Sequence, residues 1–154
     1  MTNLLKAAFK VNYPGFDLDI DLKLPASGIT VVFGPSGSGK TTLLRCFAGL
    51  EKSGTMEIAG EVWQNENIFI PVNQRAIGMV FQDSRLFPHL NVRENLLYGY
   101  KRTLMDSRRL HLEEVIHVLA LKNLLGRGIE KLSGGEKQRV ALGRALLTLS
   151  LIHI

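Results

Sequence analysis

The sequence predicts an α/β fold, because strand patterns occupy its first half and helical patterns its second half. Residues 16–24 alternate between apolar and charged side chains, which indicates an antiparallel strand with one exposed face. After a turn at 25–28, residues 29–33 form a continuous, largely β-branched apolar run, which is typical of a strand buried on both faces. Strands followed by a strand–helix unit and then by helices are the pattern of an α/β domain.

Shorter segments complete the predicted strands. Strand-like pieces at 56–58, 61–63 and 68–70 are separated by turn-forming residues. A further strand is expected at 77–81.

Helices are predicted from residue 91 onward. Asn91 can cap the first of them, and Glu94 stands where it would complete a capping box. A second helix between 107 and 119 carries apolar residues at helical spacing, and a third runs from Ser133 to about Leu147. The apolar stripe of the second helix consists of Leu112, Val115, Ile116 and Leu119.

The composition fits one soluble globular domain and argues against other classes. The 154 residues are 45% apolar and 21% charged, and no apolar run of about 18 residues could span a membrane. No secretory signal is expected at the N-terminus. Cys46, the single cysteine, cannot form a disulfide framework, and its apolar neighbours predict burial. The net charge of +5 is spread over isolated pairs, so we expect no nucleic-acid partner.

A glycine-rich loop suited to phosphate lies between the predicted strand at 29–33 and a helix. It matches the pattern G-x-x-x-x-G-K-[ST]. Glycines allow consecutive backbone N–H groups to converge on phosphate oxygens, and the positive end of the following helix faces the same anion. Lys40 is expected to reach the β- and γ-phosphates, and the Thr41 hydroxyl to bind magnesium. The predicted nucleotide-binding residues here are Gly34, Pro35, Ser36, Gly37, Ser38, Gly39, Lys40, Thr41 and Thr42.

A second candidate anion site begins the third predicted helix, where residues 132–139 read L-S-G-G-E-K-Q-R. Its candidate residues are Leu132, Ser133, Gly134, Gly135, Glu136 and Gln138. Taken alone, the motif is equally consistent with an ordinary capped helix start. One nucleotide rarely uses two helix starts of the same chain, so the simplest explanation is a pair of chains, each offering this motif to the other's nucleotide.

These motifs resemble those of the ATP-binding-cassette family. The phosphate loop, V-F-Q-D at 80–83 and L-S-G-G-E-K-Q-R occur in the family's order, and the resemblance covers about residues 4–148. It implies an ATPase that uses ATP and Mg²⁺, with a P-loop NTPase fold: a RecA-like core, an antiparallel β subdomain and a helical subdomain, incomplete at the C-terminus. It places the nucleotide-binding domain in 1–148.

Within that domain, the resemblance implies three parts. The antiparallel β and P-loop core occupies 1–82, the helical subdomain about 83–132, and the signature helix 133–148.

The resemblance also implies roles for residues outside the phosphate loop. Gln82 would contact magnesium and the attacking water and sense a membrane partner. Ser133, with Gly134 and Gly135, would clamp the γ-phosphate across a head-to-tail dimer. An aromatic side chain would stack on adenine; Tyr13 is our first choice, and Phe16, which also fits the apolar face of its strand, is the second.

A narrower similarity concerns bacterial importers. Segment 83–96 is similar to the part of their ATPase subunits that contacts a transmembrane permease, and Leu86 and Phe87 would be exposed docking residues or else a cap on the helical layer. Segments 25–30 and 83–89 look most like molybdate-uptake ATPases, although sulfate, iron and polyamine importers share much of them.

The importer similarity implies a location and partners. The protein would be peripheral on the cytoplasmic face of the bacterial inner membrane. Its partners would be permease subunits, a second ATP-binding subunit in a head-to-tail homodimer and, indirectly, a periplasmic binding protein.

The chain departs from the family after residue 148. The family's strand ending in Asp-Glu, which supports magnesium and polarises the attacking water, is not found, so we expect the chain itself to be hydrolysis-deficient. Residues 149–154 are what CTG-TCT-CTT-ATA-CAC-ATC encodes, which resembles a sequencing-library adaptor; we therefore expect a non-native tail on an N-terminal fragment.

Two other functions share these motifs. A soluble nucleotide-binding or regulatory module without a permease is the main alternative. A DNA-repair ATPase is disfavoured, because such proteins separate the two motifs by long coiled coils.

Overall fold

The computed structural model describes residues 3–75, 77–100 and 110–148, which divide after Arg75 into two units. The first unit holds an antiparallel sheet of four strands in the order β2-β1-β3-β4, together with one α-helix. Its elements are β1 (Leu4–Tyr13), β2 (Phe16–Pro25), α1 (Lys40–Ala48), β3 (Thr55–Ile58), β4 (Glu61–Gln64) and a 3₁₀ turn at Val72–Gln74.

The long hairpin of β1 and β2 confirms the predicted antiparallel strand at 16–24. The two strands pair from Tyr13 opposite Phe16 to Leu4 opposite Pro25. Along β2 the charged side chains are exposed, whereas the apolar ones are buried or half-buried, because successive side chains of a strand point to opposite faces. β1, which the sequence analysis did not identify, lies between β2 and β3.

The core of the first unit lies between the sheet and α1. Phe9 of β1 is buried and packs edge-on against Phe47, with ring centroids 5.4 Å apart. Cys46 is buried as predicted, and burial raises the pKa of its thiol. Met56 and Trp63 contribute the buried side chains of the β3–β4 hairpin.

A buried arginine connects this hairpin to the end of α1. Arg75 is only 4% exposed, and its guanidinium donates hydrogen bonds to the carbonyl of Phe47 at 2.9 Å, to the carbonyl of Ile70 at 2.8 Å and to Gln64 Oε1 at 2.9 Å. Burial lowers the pKa of Arg75. Carbonyls at the negative end of a helix are good acceptors for a cation, so these bonds offset the cost of burying the charge.

The prediction of a buried strand at 29–33 is wrong. This segment has no regular secondary structure, and Ile29 and Phe33 are 95% and 97% exposed. A strand is stable only when its backbone groups pair with neighbours, and no strand among the described residues pairs with 29–33. For the same reason the predicted strand at 77–81 is absent there, and 68–70 contributes only one isolated bridge, between Gln64 and Phe69.

The second unit is helical. Its helices are α2 (Val92–Tyr100), α3 (Leu112–Val118) and α4 (Gly134–Thr148), with 3₁₀ turns at Lys122–Leu124 and Ile129–Lys131. They enclose one apolar core, made of Val92, Leu96, Val115, Ile116, Leu121, Leu124, Ile129, Leu132, Val140 and Leu147. A side chain at Gly143 of α4 would come within 2.9 Å of Leu96 Cδ2, which shows how closely α2 and α4 pack.

The three helices agree with the predicted ones where they are described. Asn91 and Glu94 exchange the two hydrogen bonds of a capping box, at 2.8 and 2.9 Å. Val115 and Ile116 of the predicted apolar stripe are buried, and Leu112 and Leu119 pack against the same core. The part of that prediction at 107–109 lies outside the described residues, as does the expected non-native tail at 149–154. Within the described residues, no helix has the length and apolarity to cross a membrane.

Candidate nucleotide-binding site

The phosphate loop ends at the start of α1, and its backbone takes the conformations that glycine favours. Gly37 and Gly39 have φ angles of 82° and 85°, in the left-handed region. A Cβ at Gly39 would lie 2.5 Å from Phe16 Cζ and 3.1 Å from Leu18 Cδ1, so the loop is packed closely against the β1–β2 hairpin. Only glycine both adopts this φ angle readily and lacks the Cβ that would clash with Phe16 at position 39.

The N-terminus of α1 offers backbone donors to an anion. Across this described turn, no side chain caps the helix and no acidic residue is present. The first N–H groups of a helix have no partner within the helix, and the helix dipole adds partial positive charge at the same point. Thr41 is exposed here and Thr42 is half-buried. The geometry therefore suits a phosphate group.

Lys40 lies over the loop that precedes it. Its Nζ donates hydrogen bonds to the carbonyls of Gly34 at 2.9 Å and Pro35 at 2.6 Å, and to Ser38 Oγ at 3.3 Å. All three acceptors are neutral, and an ammonium group binds charged phosphate oxygens more strongly. The amine thus lies against the backbone of the phosphate loop.

The two candidate adenine-stacking residues flank the turn of the β1–β2 hairpin. Tyr13 is 42% exposed, and its hydroxyl donates a hydrogen bond to Glu51, which raises the pKa of Tyr13. Arg45, 2.7 Å from the carboxylate of Glu51, is the main reason that the pKa of Glu51 is lowered. The ring of Phe16 is half-buried and packs towards Gly39. That Tyr13 rather than Phe16 stacks on adenine stays a prediction.

Gln82 and the L-S-G-G-E-K-Q-R motif lie together in the second unit. The side chain of Gln82 is exposed, in a segment without regular secondary structure. From α4, Gln138 Nε2 donates to the carbonyl of Phe81 at 3.2 Å and also to the carbonyl of Gln82. Gln138 therefore holds the backbone that carries Gln82, a role that the sequence pattern did not indicate.

The start of α4 is a capping box with an open face. Ser133 N–H donates to Glu136 Oε2 at 2.7 Å, and Glu136 N–H donates to Ser133 Oγ at 3.3 Å. Leu132 is buried and anchors this end of the helix in the core. Gly134 and Gly135 are exposed, and a Cβ at either would meet nothing within 4 Å. A ligand could therefore approach the backbone of both glycines.

The capping box makes the stability of this helix start depend on pH. The hydrogen bonds from Ser133 lower the pKa of Glu136 below its value in the unfolded chain. The contribution of Glu136 is therefore complete above the unfolded pKa of about 4.3 and is lost as the pH falls through the folded pKa. We expect the difference in free energy of unfolding between the wild type and Glu136→Gln to decrease between about pH 6 and pH 3.

Denaturant unfolding at a series of pH values, with NMR titration of the Glu136 carboxyl, measures this effect. Glu61→Gln, an exposed substitution on β4, is the control. A difference that stayed constant down to pH 3 would contradict the prediction.

The structure corrects one predicted surface and adds residues that the sequence analysis missed. Leu86 and Phe87, considered as exposed docking residues, are both half-buried: Leu86 packs against the helical core, and the ring of Phe87 lies 4.4 Å from that of Tyr98. The alternative, that they cap the helical layer, is therefore correct. Asn95 and Arg144, which contact this segment, were missed because a single polar residue in a helix carries no periodic signal.

Known proteins with similar sequences point to the same family as these motifs. Residues 18–154 match the family model described as ABC transporter. The chain is 52% identical over 144 residues to the molybdenum import ATP-binding protein ModC of Thiobacillus denitrificans, covering 92% of this chain and 40% of that protein. It is 53% identical over 148 residues to the proteins named ModC 1 in Azotobacter vinelandii and ModC in Pseudomonas aeruginosa, covering 94% of this chain and 41% of each.

The chain thus spans about 40% of the length of these relatives. The family match, however, extends over most of the chain itself. The phosphate loop and the L-S-G-G-E-K-Q-R motif both lie within the matched residues. The chain belongs to the ABC transporter family.

Proposed function

We propose that the protein is the ATP-binding subunit of a bacterial ABC importer, which couples ATP binding and hydrolysis to the uptake of molybdate or a similar oxyanion. The main structural support for ATP binding is the position of the Lys40 amine over the phosphate loop, at the start of α1, where no side chain caps the helix. The choice of substrate rests on the relatives, whose names describe molybdenum import.

The phosphate loop would hold the triphosphate of ATP together with Mg²⁺. Backbone N–H groups at the start of α1 would bind the phosphates, and Lys40 would exchange its loop carbonyls for β- and γ-phosphate oxygens. The exposed hydroxyl of Thr41 suits Mg²⁺, which prefers oxygen ligands and commonly takes few from the protein. When bound, Mg²⁺ neutralises charge on the phosphates. Gln82 would face the attacking water.

A second copy of the protein would complete each nucleotide site. The exposed backbone of Gly134 and Gly135 at the start of α4 supports this arrangement, because it is open to a ligand brought by a partner. In the proposed head-to-tail homodimer, Ser133 of one subunit would lie at the γ-phosphate bound by the other. ATP binding would then close the dimer, and hydrolysis would release it.

The proposed membrane partner is a pair of permease subunits. The exposed residues of the segment after Gln82 include Arg85, Pro88 and His89, and these would form the surface that faces the permease. The subunit would therefore be peripheral on the cytoplasmic face of the inner membrane, with a periplasmic binding protein delivering the oxyanion from the opposite side.

Reconstitution tests this proposal. The full-length protein, co-expressed with a molybdate permease, should co-purify with the permease and drive ATP-dependent uptake of labelled molybdate into proteoliposomes. Lys40→Ala should abolish uptake and serves as the inactive control. Uptake of iron or of a polyamine, with no uptake of molybdate or sulfate, would overturn the substrate class. ATP binding without any association with a permease would overturn the importer function in favour of a regulatory module.

A further inference from the structure

Residues 84–91 form a loop that is held by a fully buried asparagine. Asn95 of α2 is 0% exposed, and its Oδ1 accepts a hydrogen bond from Phe87 N–H at 2.9 Å. Its Nδ2 donates to the carbonyls of Phe87 at 3.2 Å, Leu90 at 3.1 Å and Asn91 at 3.0 Å. One side chain therefore binds four backbone groups of a loop that has no regular secondary structure.

An arginine from α4 holds the same loop at its beginning. Arg144 Nη2 donates to the carbonyl of Arg85 at 2.8 Å and lies 3.5 Å from that of Ser84, and Nη1 donates to Asn95 Oδ1 at 3.4 Å. The guanidinium also lies over the ring of Phe87, 4.8 Å from its centroid.

The backbone at this point is strained. Ser84 and Arg85 have φ angles of 58° and 43°, which residues with side chains rarely adopt. Such conformations persist only where the surroundings enforce them. Arg144 binds the carbonyls of these two residues, so it acts where the backbone most needs support.

The helix that supplies Arg144 also carries the second anion motif. α4 begins at Gly134, next to Ser133, and its Gln138 binds the carbonyls of Phe81 and Gln82. α4 is therefore attached to the segment around Gln82 by Gln138 and to the loop 84–91 by Arg144. A helix is stiff over this length, so a displacement at its N-terminus would be transmitted to both attachment points.

We infer that Asn95 and Arg144 are positioning residues that fasten the loop 84–91 to α4, so that movement of the Ser133 end of the helix is passed to the permease-facing loop. This inference rests on the proposed function, since it takes that loop to face the permease. Neither residue belongs to the phosphate loop, so ATP binding should not depend on them. The coupling of ATP hydrolysis to transport, in contrast, should depend on both residues.

The test compares variants of the full-length transporter in proteoliposomes. Asn95→Leu keeps the branched shape and the number of side-chain heavy atoms, and Arg144→Met keeps an unbranched stem, but both remove the hydrogen bonds to the loop. We expect ATP affinity to stay within about twofold of the wild type, whereas the molybdate transported per ATP hydrolysed falls by about tenfold. Exchange of the Phe87 amide hydrogen should become at least about a hundredfold faster in Asn95→Leu.

Two further variants distinguish the loss of the hydrogen bonds to the loop 84–91 from a general loss of stability in the helical unit. Arg144→Lys retains one cationic donor group and should recover part of the coupling, because it can still bind the carbonyl of Arg85. Ile116→Val trims the same helical core without touching the loop and should leave the ratio of transport to hydrolysis unchanged. If Asn95→Leu or Arg144→Met does not fold, the ratio of transport to hydrolysis in Arg144→Lys is the deciding measurement. A partial loss of that ratio supports the inference, and an unchanged ratio overturns it.

The outcomes are distinguishable from failure of the proposed function. If the wild type neither binds a permease nor transports, the proposed function fails, and the exchange rate of the Phe87 amide alone decides whether Asn95 fastens the loop. If the wild type transports and the variants keep both its transport-to-hydrolysis ratio and slow exchange at Phe87, the inference is overturned.

Discussion

Replacing Lys40 with alanine is expected to lower the affinity for ATP by about 10²–10³-fold, because the substitution removes the side-chain ammonium group that lies over the phosphate loop. Nζ binds neutral acceptors in the loop, including the carbonyls of Gly34 and Pro35. These carbonyls can be hydrated when the amine is lost, so little stability should be lost with it. The effect should therefore fall on binding and not on folding.

Calorimetric titration of the full-length protein with ATP at a fixed Mg²⁺ concentration measures this loss. Lys23→Ala is the matched control, since it removes an exposed lysine of the same unit from β2. An ATP affinity for Lys40→Ala within about threefold of the wild type would contradict the assignment of the phosphate loop as the nucleotide site.

Gly54→Ala is expected to destabilise the first unit by more than about 3 kcal/mol. A Cβ at this position would lie 1.9 Å from the carbonyl oxygen of Ala8 and 3.0 Å from Phe9 Cα, and the φ angle of Gly54 is +69°. The obstructing atoms belong to the backbone of β1, which is paired with both β2 and β3 and so cannot move aside cheaply. Either β1 or the turn before β3 must give up its hydrogen bonds.

Gly60→Ala separates the clash from the cost of the backbone conformation. Gly60 lies between β3 and β4 with a φ angle of +92°, and a Cβ there would meet nothing within 4 Å. We expect this control to cost only about 1 kcal/mol, the penalty for a side chain in the left-handed region. Urea unfolding of both variants gives the comparison. An equal loss of stability would mean that the close approach to Ala8 has no energetic consequence.

Features that depend on neighbours in the sequence were predictable. The alternation of β2 follows from the period of two in a strand, and the capping boxes at Asn91 and Ser133 each need only a partner three residues away. The phosphate loop is also local, because its glycines, Lys40 and the start of α1 occupy consecutive positions.

Features that depend on residues far away in the sequence could not be predicted from it. The run at 29–33 has the composition of a buried strand, but composition cannot supply the paired neighbours that a strand requires. Likewise, an apolar residue such as Phe87 looks the same in the sequence whether it faces solvent or packs against Tyr98. Its burial depends on a helix that begins several residues later.

The sequence by itself determined the chemistry proposed for the two candidate anion sites, that is, the residue types that suit phosphate and the helix starts at which they stand. Tertiary structure decided how those sites are supported. Arg75 reaches the end of α1 from outside it, and Asn95 and Arg144 meet around one loop from two different helices. The physical reason is that a buried polar side chain must find its partners among groups that folding brings together, and spacing along the chain does not specify them.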